Sequence, residues 1–237
     1  MLLATLPPAA DNRLLAALPT SDRRRILARC EMVELAVTDV LYGSWEPLDC
    51  IYFPTSSYIS LIMPTADSGT FEVGLVGREG MLGIAVVLGA SVSPNCAVVQ
   101  GSGSALQIGA APLRRELRSS EALRGEIDRY VHMRLSQLAQ AAICAHFHLL
   151  EARLARRLLT TQDHARADTF SVTQEVLAAK LGVRRVGVTK AAGSLQRRGL
   201  IHYSRGDITV LDRRGLMAAS CGCYKVDREF YDRLHGR

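Results

Sequence analysis

From Ser119 to Ala165 the chain carries no proline, and its apolar residues keep returning at steps of three or four, with one longer gap. Leu123, Ile127, Val131, Leu138, Ala142, Ala145 and Leu149 form that stripe. Such spacing marks an amphipathic helix, and the stretch far exceeds an average globular helix of about 11–12 residues. One small domain cannot cover so long a stripe. The sequence therefore predicts a bend into two helices together with packing against a second copy. A dimerisation helix should end near His146, with Leu123, Ile127, Val131, Leu138, Ala142 and Ala145 at the interface, and a second helix should lead onward.

The pattern ahead of this stretch is different. "NRLLAALPTSDRRRILARC" reads as one or two short helices split at Pro19. From Glu31 to about Gly109 short runs rich in Val, Ile, Leu, Tyr and Phe follow: "EMVELAV", "DVLYG", "CIYFP", "YISLIM", "FEVGLVG", "CAVVQ" and "ALQIGA". Gly, Pro, Ser and Asp punctuate them, which predicts an all-β sandwich or barrel. The uncharged stretch Gly80–Leu113 is no membrane span, because its continuous apolar part, "MLGIAVVLGA", is too short. Buried strands and turns are expected there. Pro112 then suits the first turn of a helix.

Beyond the long helices, "SVTQEVLAAKLGVRRVGVTKAAGSLQRRGLIHYSRGDITVLD" reads as helix, turn, helix, hairpin, and "HARADTF" as the loop before it. Thr173 is a suitable N-cap, with Gln174 and Glu175 in the first turn. Val176, Leu177 and Leu181 should form that helix's apolar side. Gly182 stands where the turn needs positive φ, and Val183 anchors it. In the second helix Val188, Ala191, Ala192 and Leu195 share one face, and Ala191, Ala192 and Gly193 are small enough for close helix approach. Val186, Thr189, Lys190, Gly193 and Arg197 lie on the other side, with Arg184 and Arg185 at the N-terminal end. "LIHYS-RGD-ITVLD" should be a two-stranded wing around Arg205-Gly206-Asp207.

Charge sharpens this reading. The chain's formal charge is +6, and between Glu175 and Asp207 there is no acidic residue but seven basic ones, Lys180, Arg184, Arg185, Lys190, Arg197, Arg198 and Arg205. Local basicity on one helix face fits a DNA major groove, where an arginine bonding guanine O6 and N7 gives about 1–3 kcal/mol of discrimination. Arg185, Val186, Thr189 and Lys190 are the expected base-reading residues. Thr173, Gln174, Glu175, Arg184, Arg197 and Arg205 are the expected phosphate contacts.

On these motifs the chain resembles the cyclic-AMP receptor/fumarate-nitrate regulator (Crp/Fnr) superfamily of bacterial transcription factors over nearly all of its length. The resemblance implies an α+β protein: N-terminal helices and a cyclic-nucleotide-binding-like β-roll sensor (1–119), a dimerisation helix (120–147), and a winged helix-turn-helix with a C-terminal helix (148–237). It puts the guanine-contacting arginine on Arg185, the neighbouring base readers on Val186 and Lys190, and phosphate contacts on Thr173, Glu175 and Arg184. Val186 departs from the family's glutamate and cannot accept a bond from cytosine N4. In the sensor, Ile84 stands where a ribose-binding glutamate belongs, and Pro94 or Asn95 where a phosphate-binding arginine belongs. An anionic phosphate would lack its partner there. An effector pocket is expected around Leu82, Gly83, Ile84, Asn95 and Cys96, with the effector itself unspecified. The N-terminal cysteine cluster of iron–sulfur members is absent, since no cysteine precedes Cys30.

The remaining candidates are weaker. Cys221-Gly222-Cys223 could supply two metal ligands, but the sequence offers no close His or Cys pair to complete a tetrahedral site, so ordinary packing of the C-terminal helix is expected. His146 and His148, two apart on a helix, project in different directions. Cys30, Cys50, Cys96 and Cys144 read as reduced, mostly buried thiols, with redox sensing the alternative. "GSGSAL" lacks the further residues of a dinucleotide or phosphate loop and reads as a turn. No nucleophile–base pair suggests an enzyme, and neither metal nor cofactor is expected. "MLLATLPPAA" makes a poor signal peptide, so a cytoplasmic location is expected. The expectation is a homodimeric regulator binding double-stranded DNA at a pseudo-palindromic operator, with RNA polymerase as a further partner and no membrane. The alternatives are a small-molecule or redox sensor acting through a protein partner, or a regulator answering a non-standard cyclic (di)nucleotide.

Overall fold

The structure, a computed structural model, describes residues 12–65 and 69–234. Two compact units are present: Met1–Met63 with Gly74–His132, and Pro64–Val73 with Met133–Arg237.

In the first unit α1 (Arg13–Ala16) and α2 (Thr20–Leu27) break at Pro19, as the sequence predicts. Asn12 caps α1 by accepting from the Leu15 N–H at 3.2 Å. Its amide also donates to the carbonyls of Pro54 (2.9 Å) and Gly80 (2.8 Å), so one fully buried side chain ties the helix to the strands. The predicted runs become β1 (Glu31–Leu35), β2 (Val40–Tyr42), β3 (Cys50–Pro54), β4 (Tyr58–Pro64), β5 (Thr70–Val76), β6 (Cys96–Gly101) and β7 (Gly103–Gly109), with Pro64 and Thr70–Val73 belonging to the second unit. They form two sheets, β1-β7-β3 and β2-β6-β4-β5. Ile51, Phe53, Ile59, Val99 and Leu106 are fully buried, as alternating strand faces require.

One segment differs. "MLGIAVVLGA", read as strands and turns, contains a single helical turn, α3 (Ile84–Val87), entered through Gly83 at φ 103°. A run this short has no periodicity to separate strand from helix. After it come α4 (Ala110–Ser119), with Pro112 in its first turn, and α5 (Glu121–Phe147).

The long proline-free stretch does bend: α5 ends at Phe147 and α6 (Leu150–Ala165) begins after Leu149. The expected dimer stripe divides in two. Leu123 and Ile127 are 1% and 0% exposed and belong to the core of their own unit, where the Tyr130 hydroxyl donates to the Met81 carbonyl at 3.1 Å. Val131 is half-buried, while Leu138, Ala142 and Ala145 remain exposed together with Leu135 and Ile143. Helical spacing cannot tell a stripe that meets its own domain from one that meets a partner.

In the second unit, α6 is followed by β8 (Thr169–Ser171), α7 (Gln174–Leu181), α8 (Arg185–Arg197), β9 (Ile201–Ser204), β10 (Asp207–Val210), α9 (Arg213–Ala219) and α10 (Cys223–Leu234). The segment read as a loop before the motif supplies β8, which pairs with β10 in a sheet ordered β8-β10-β9. Tertiary pairing, not local composition, makes it a strand. The wing turn has two residues rather than three: Ser204 pairs with Asp207, leaving Arg205 (φ 52°) and Gly206 (φ 91°) between them. Positive φ at both positions matches the right-handed twist of a tight hairpin. No helix among the described residues is long and apolar enough to cross a membrane.

Ile127→Ala should lower unfolding stability by about 2–5 kcal/mol through a core cavity while leaving self-association unchanged. Denaturant titration and sedimentation velocity separate the two effects.

Candidate nucleic-acid interface

The rotation of α8 about its own axis decides what it shows to solvent. Val188, Ala191, Ala192 and Leu195 are at most 7% exposed and join a core with Leu154, Leu158, Leu177, Ile208 and Leu216. That is the face expected from the spacing. Gly187, not the expected Gly193, marks a close helix approach, because a Cβ there would sit 2.9 Å from a Leu150 methyl of α6. On α7 the buried face is Leu177, Ala178 and Leu181, while Val176 is 37% exposed. The first turn is where helix phase is hardest to read from sequence.

Thr173 accepts from the Val176 N–H at 3.3 Å, and Gly182 ends α7 at φ 63°, so the cap and turn are those the sequence predicts. Val183 packs on the same core. With α8 held in this way, Arg184, Arg185, Val186, Thr189, Lys190 and Arg197 are all exposed, Val186 at 60%. Arg205 is exposed at the tip of the wing.

The side chains are partly engaged with one another. Arg185 pairs with Glu175 at 2.9 Å, and the Thr189 hydroxyl donates to Gln174 Oε1 at 2.6 Å. Exposed pairs of this kind contribute about 0.2–1 kcal/mol, so phosphate or base edges can displace them. An ionised carboxylate has no proton to give a phosphate, so Glu175 acts on the surface through Arg185, and only its backbone N–H faces an anion productively. Arg198 is paired with Glu151 at 2.6 Å. Lys180 does not add to the basic face: its side chain is 9% exposed and its Nζ lies 2.9 Å from Glu72 Oε2, beside Arg157. Burial first, then the like charge of Arg157, lowers its pKa to about 8 against the pull of Glu72.

An open concavity of about 340 Å³ lies between the start of α7, the start of α8 and the wing, lined by Thr173, Gln174, Glu175, Arg185, Tyr203, Arg205 and Gly206. Tyr203 escaped the sequence reading. Its phenol donates to the Val172 carbonyl at 2.9 Å, and burial, with the Glu175 carboxylate nearby, raises its pKa. Tyr203 shares the inward face of β9 with Ile201 and packs against the core, so strand alternation alone reads it as a packing residue. The helix N-terminus, two arginines and neutral donors make this hollow suited to a backbone phosphate.

The sensor residues fall elsewhere, in the first unit. Leu82 is buried and exchanges backbone hydrogen bonds with Tyr52 (2.8 and 3.3 Å), and Gly83 sits so near Ile51 that a Cβ would lie 2.9 Å from its side chain. Asn95 accepts from the Tyr42 hydroxyl at 3.0 Å, and Cys96 opens β6 with its thiol pKa raised, chiefly by burial. No charged side chain lies among these five residues.

A two-sheet β domain, a long helix and a winged helix-turn-helix make up the described architecture. Residues 152–219 match the Crp-like helix-turn-helix domain family. The chain has the Crp/Fnr fold. It superposes on FixK2 from Bradyrhizobium japonicum with a TM-score of 0.69 at 13% identity, over 81% of this chain and 98% of that one. A putative Crp/Fnr-family regulator from Eubacterium rectale gives 0.69 at 17% identity (87% and 97% covered). TTHA1359, a Crp/Fnr-family regulator from Thermus thermophilus, gives 0.67 at 23% identity (80% and 98%). By sequence, no curated protein matches the chain significantly.

Gly182→Ala should cost about 1–2 kcal/mol, because an L-residue is forced into the left-handed region at the helix–helix turn. Urea unfolding of the full chain measures it.

Proposed function

We propose that the protein is a homodimeric, sequence-specific transcription regulator that reads a pseudo-palindromic operator. The observation that carries this reading is the two-faced α8: an apolar face fully sequestered and the opposite face displaying Arg185, Val186, Thr189 and Lys190 to solvent. Arg185 reads a guanine, Lys190 a neighbouring acceptor, and the Val186 side chain favours a thymine methyl over a cytosine amine. Thr173, Gln174, Arg184, Arg197 and Arg205, with the Glu175 N–H, set the register on phosphates.

The exposed apolar residues Leu135, Leu138 and Ile143 support self-association along α5, since a chain that leaves such a row in water gains by pairing it. Twofold pairing puts two recognition helices about 34 Å apart, one turn of duplex. RNA polymerase is the protein partner such a regulator would engage. The proposed effector pocket around Leu82, Gly83, Ile84, Asn95 and Cys96 offers no basic side chain of its own, and the Glu46 carboxylate acts on Cys96, which disfavours a cyclic phosphate. If an effector acts, it does so by shifting the population between two arrangements.

Selection of bound sites from a random duplex pool tests the reading. Arg185→Ala should then weaken the selected site by about 1–3 kcal/mol and leave random duplex binding nearly unchanged. Equal loss on every sequence would remove Arg185 from base reading. Arg197→Ala should weaken all duplexes alike and reduce the salt slope of log affinity by about one. Leu138→Asp should give monomers that bind half-sites only, read by sedimentation and mobility shift. A module acting solely through a protein partner would show no steep salt dependence at all.

A further inference from the structure

Three elements of the C-terminal unit bring four soft ligands to one point. Cys144 is in the last turn of α5, and His148, just past its end, donates its backbone N–H to the Cys144 carbonyl at 3.3 Å, which continues the helical turn and keeps the two side chains on one side. Cys221 lies in the link between α9 and α10, and Cys223 opens α10, with Gly222 between them. One donor atom from each residue, three sulfurs and an imidazole nitrogen, fall within 4.8 Å of one another. The Cys144 and Cys221 sulfurs are 3.4 Å apart, and the Cys223 sulfur lies 3.4 Å from His148 Nδ1. The three cysteines are at most 7% exposed, and His148 is half-buried. The expectation that no partner completes Cys221 and Cys223 is thereby overturned. Considering His146 with His148 concealed the useful pair, which is Cys144 with His148, four residues apart.

We infer that Cys144, His148, Cys221 and Cys223 form a closed, four-coordinate site for one thiophilic divalent metal ion of the zinc class. A tetrahedron with metal–sulfur bonds near 2.3 Å and a metal–nitrogen bond near 2.0 Å has edges of about 3.5–3.8 Å, close to the 3.4 Å of Cys144–Cys221 and of Cys223–His148, with every other pair within 4.8 Å. Three thiolates and one imidazole are a set that selects zinc over magnesium or calcium. A polynuclear iron–sulfur cluster needs its cysteines spread around several metal atoms and does not fit four donors gathered this tightly.

The surroundings are those of a metal site. Gln140 donates to the Cys223 sulfur at 2.9 Å. Arg156 lies beside Cys144 and is fixed by Asp227 of α10 at 2.6 Å, so a cation offsets the surplus charge of three thiolates on a divalent ion. Outer donors of this kind orient ligands and raise affinity. Cys221 and the start of α10 are positioned without the metal, by Tyr224, whose hydroxyl donates to Asp163 at 2.7 Å and accepts from Arg213 at 2.7 Å. Binding displaces the thiol protons to solvent and joins the end of α5 to the α9–α10 link.

The test is metal analysis of untagged full-length protein purified anaerobically with reductant, then apo-protein titrated with Zn2+ or Co2+. One ion per chain is expected, with the visible bands of tetrahedral Co2+ and a thiolate-to-cobalt charge-transfer band. Three of the six thiols should resist alkylation in the loaded form and react after chelation. Cys144→Ser and Cys221→Ser should lose the ion, whereas a Cys30→Ser/Cys50→Ser/Cys96→Ser variant should keep it. Gln140→Ala should weaken affinity roughly tenfold or more. If a serine variant fails to fold, His148→Cys decides. It should retain Co2+ with a stronger charge-transfer band, and an unchanged spectrum would exclude His148. No ion bound to folded apo-protein, a Cys144–Cys221 disulfide in place of metal, or equal loading of the serine variants would each overturn the site.

Discussion

The burial of Val188, Ala191, Ala192 and Leu195 against α6 and α7 governs the C-terminal unit. Fully burying Val188 and Leu195 contributes about 1.5–3 kcal/mol each, with less from the two alanines, and together this far exceeds any exposed ion pair on the opposite face. Hydrophobic packing therefore fixes the helix's rotation, and the charged residues accept the orientation it leaves them. Gly187 permits the approach to Leu150 that makes the packing tight. The backbone of α8 is thus positioned by packing before any ligand arrives, which limits the ordering cost of binding.

The basic face is also smaller than a count of charges implies. Lys180 is withdrawn beside Glu72, and Arg198 and Arg185 are engaged by Glu151 and Glu175. Arg184, Lys190, Arg197 and Arg205 are what the described surface offers most directly. The exposed pairs are weak enough to exchange, whereas Lys180 is held by burial and stays out of the interface.

The four-donor cluster changes the meaning of the cysteines. Taken singly, each is an ordinary small, buried side chain, which is why the sequence suggested packing. Taken together, with Gln140 and Arg156 turned towards the sulfurs, they resemble a coordination sphere with its supporting shell. It lies in the same unit as the recognition helix but uses none of its residues.

Much of this was legible in the chain itself, because local physics is periodic. The seven strand runs, the cap at Thr173, the turn at Gly182, the division of α8 into two faces and a break near His146 all follow from spacing and residue type. Tertiary structure decided the rest. The same three-and-four spacing that announces α5 is satisfied by the chain's own core at Leu123 and Ile127 and by nothing described at Leu138. A helical period carries no record of what covers it. Thr169–Ser171 became a strand only because β10 lies alongside, and Cys144 met Cys221 across 77 positions of sequence. Contacts of that range depend on how whole elements pack, and no local pattern encodes them.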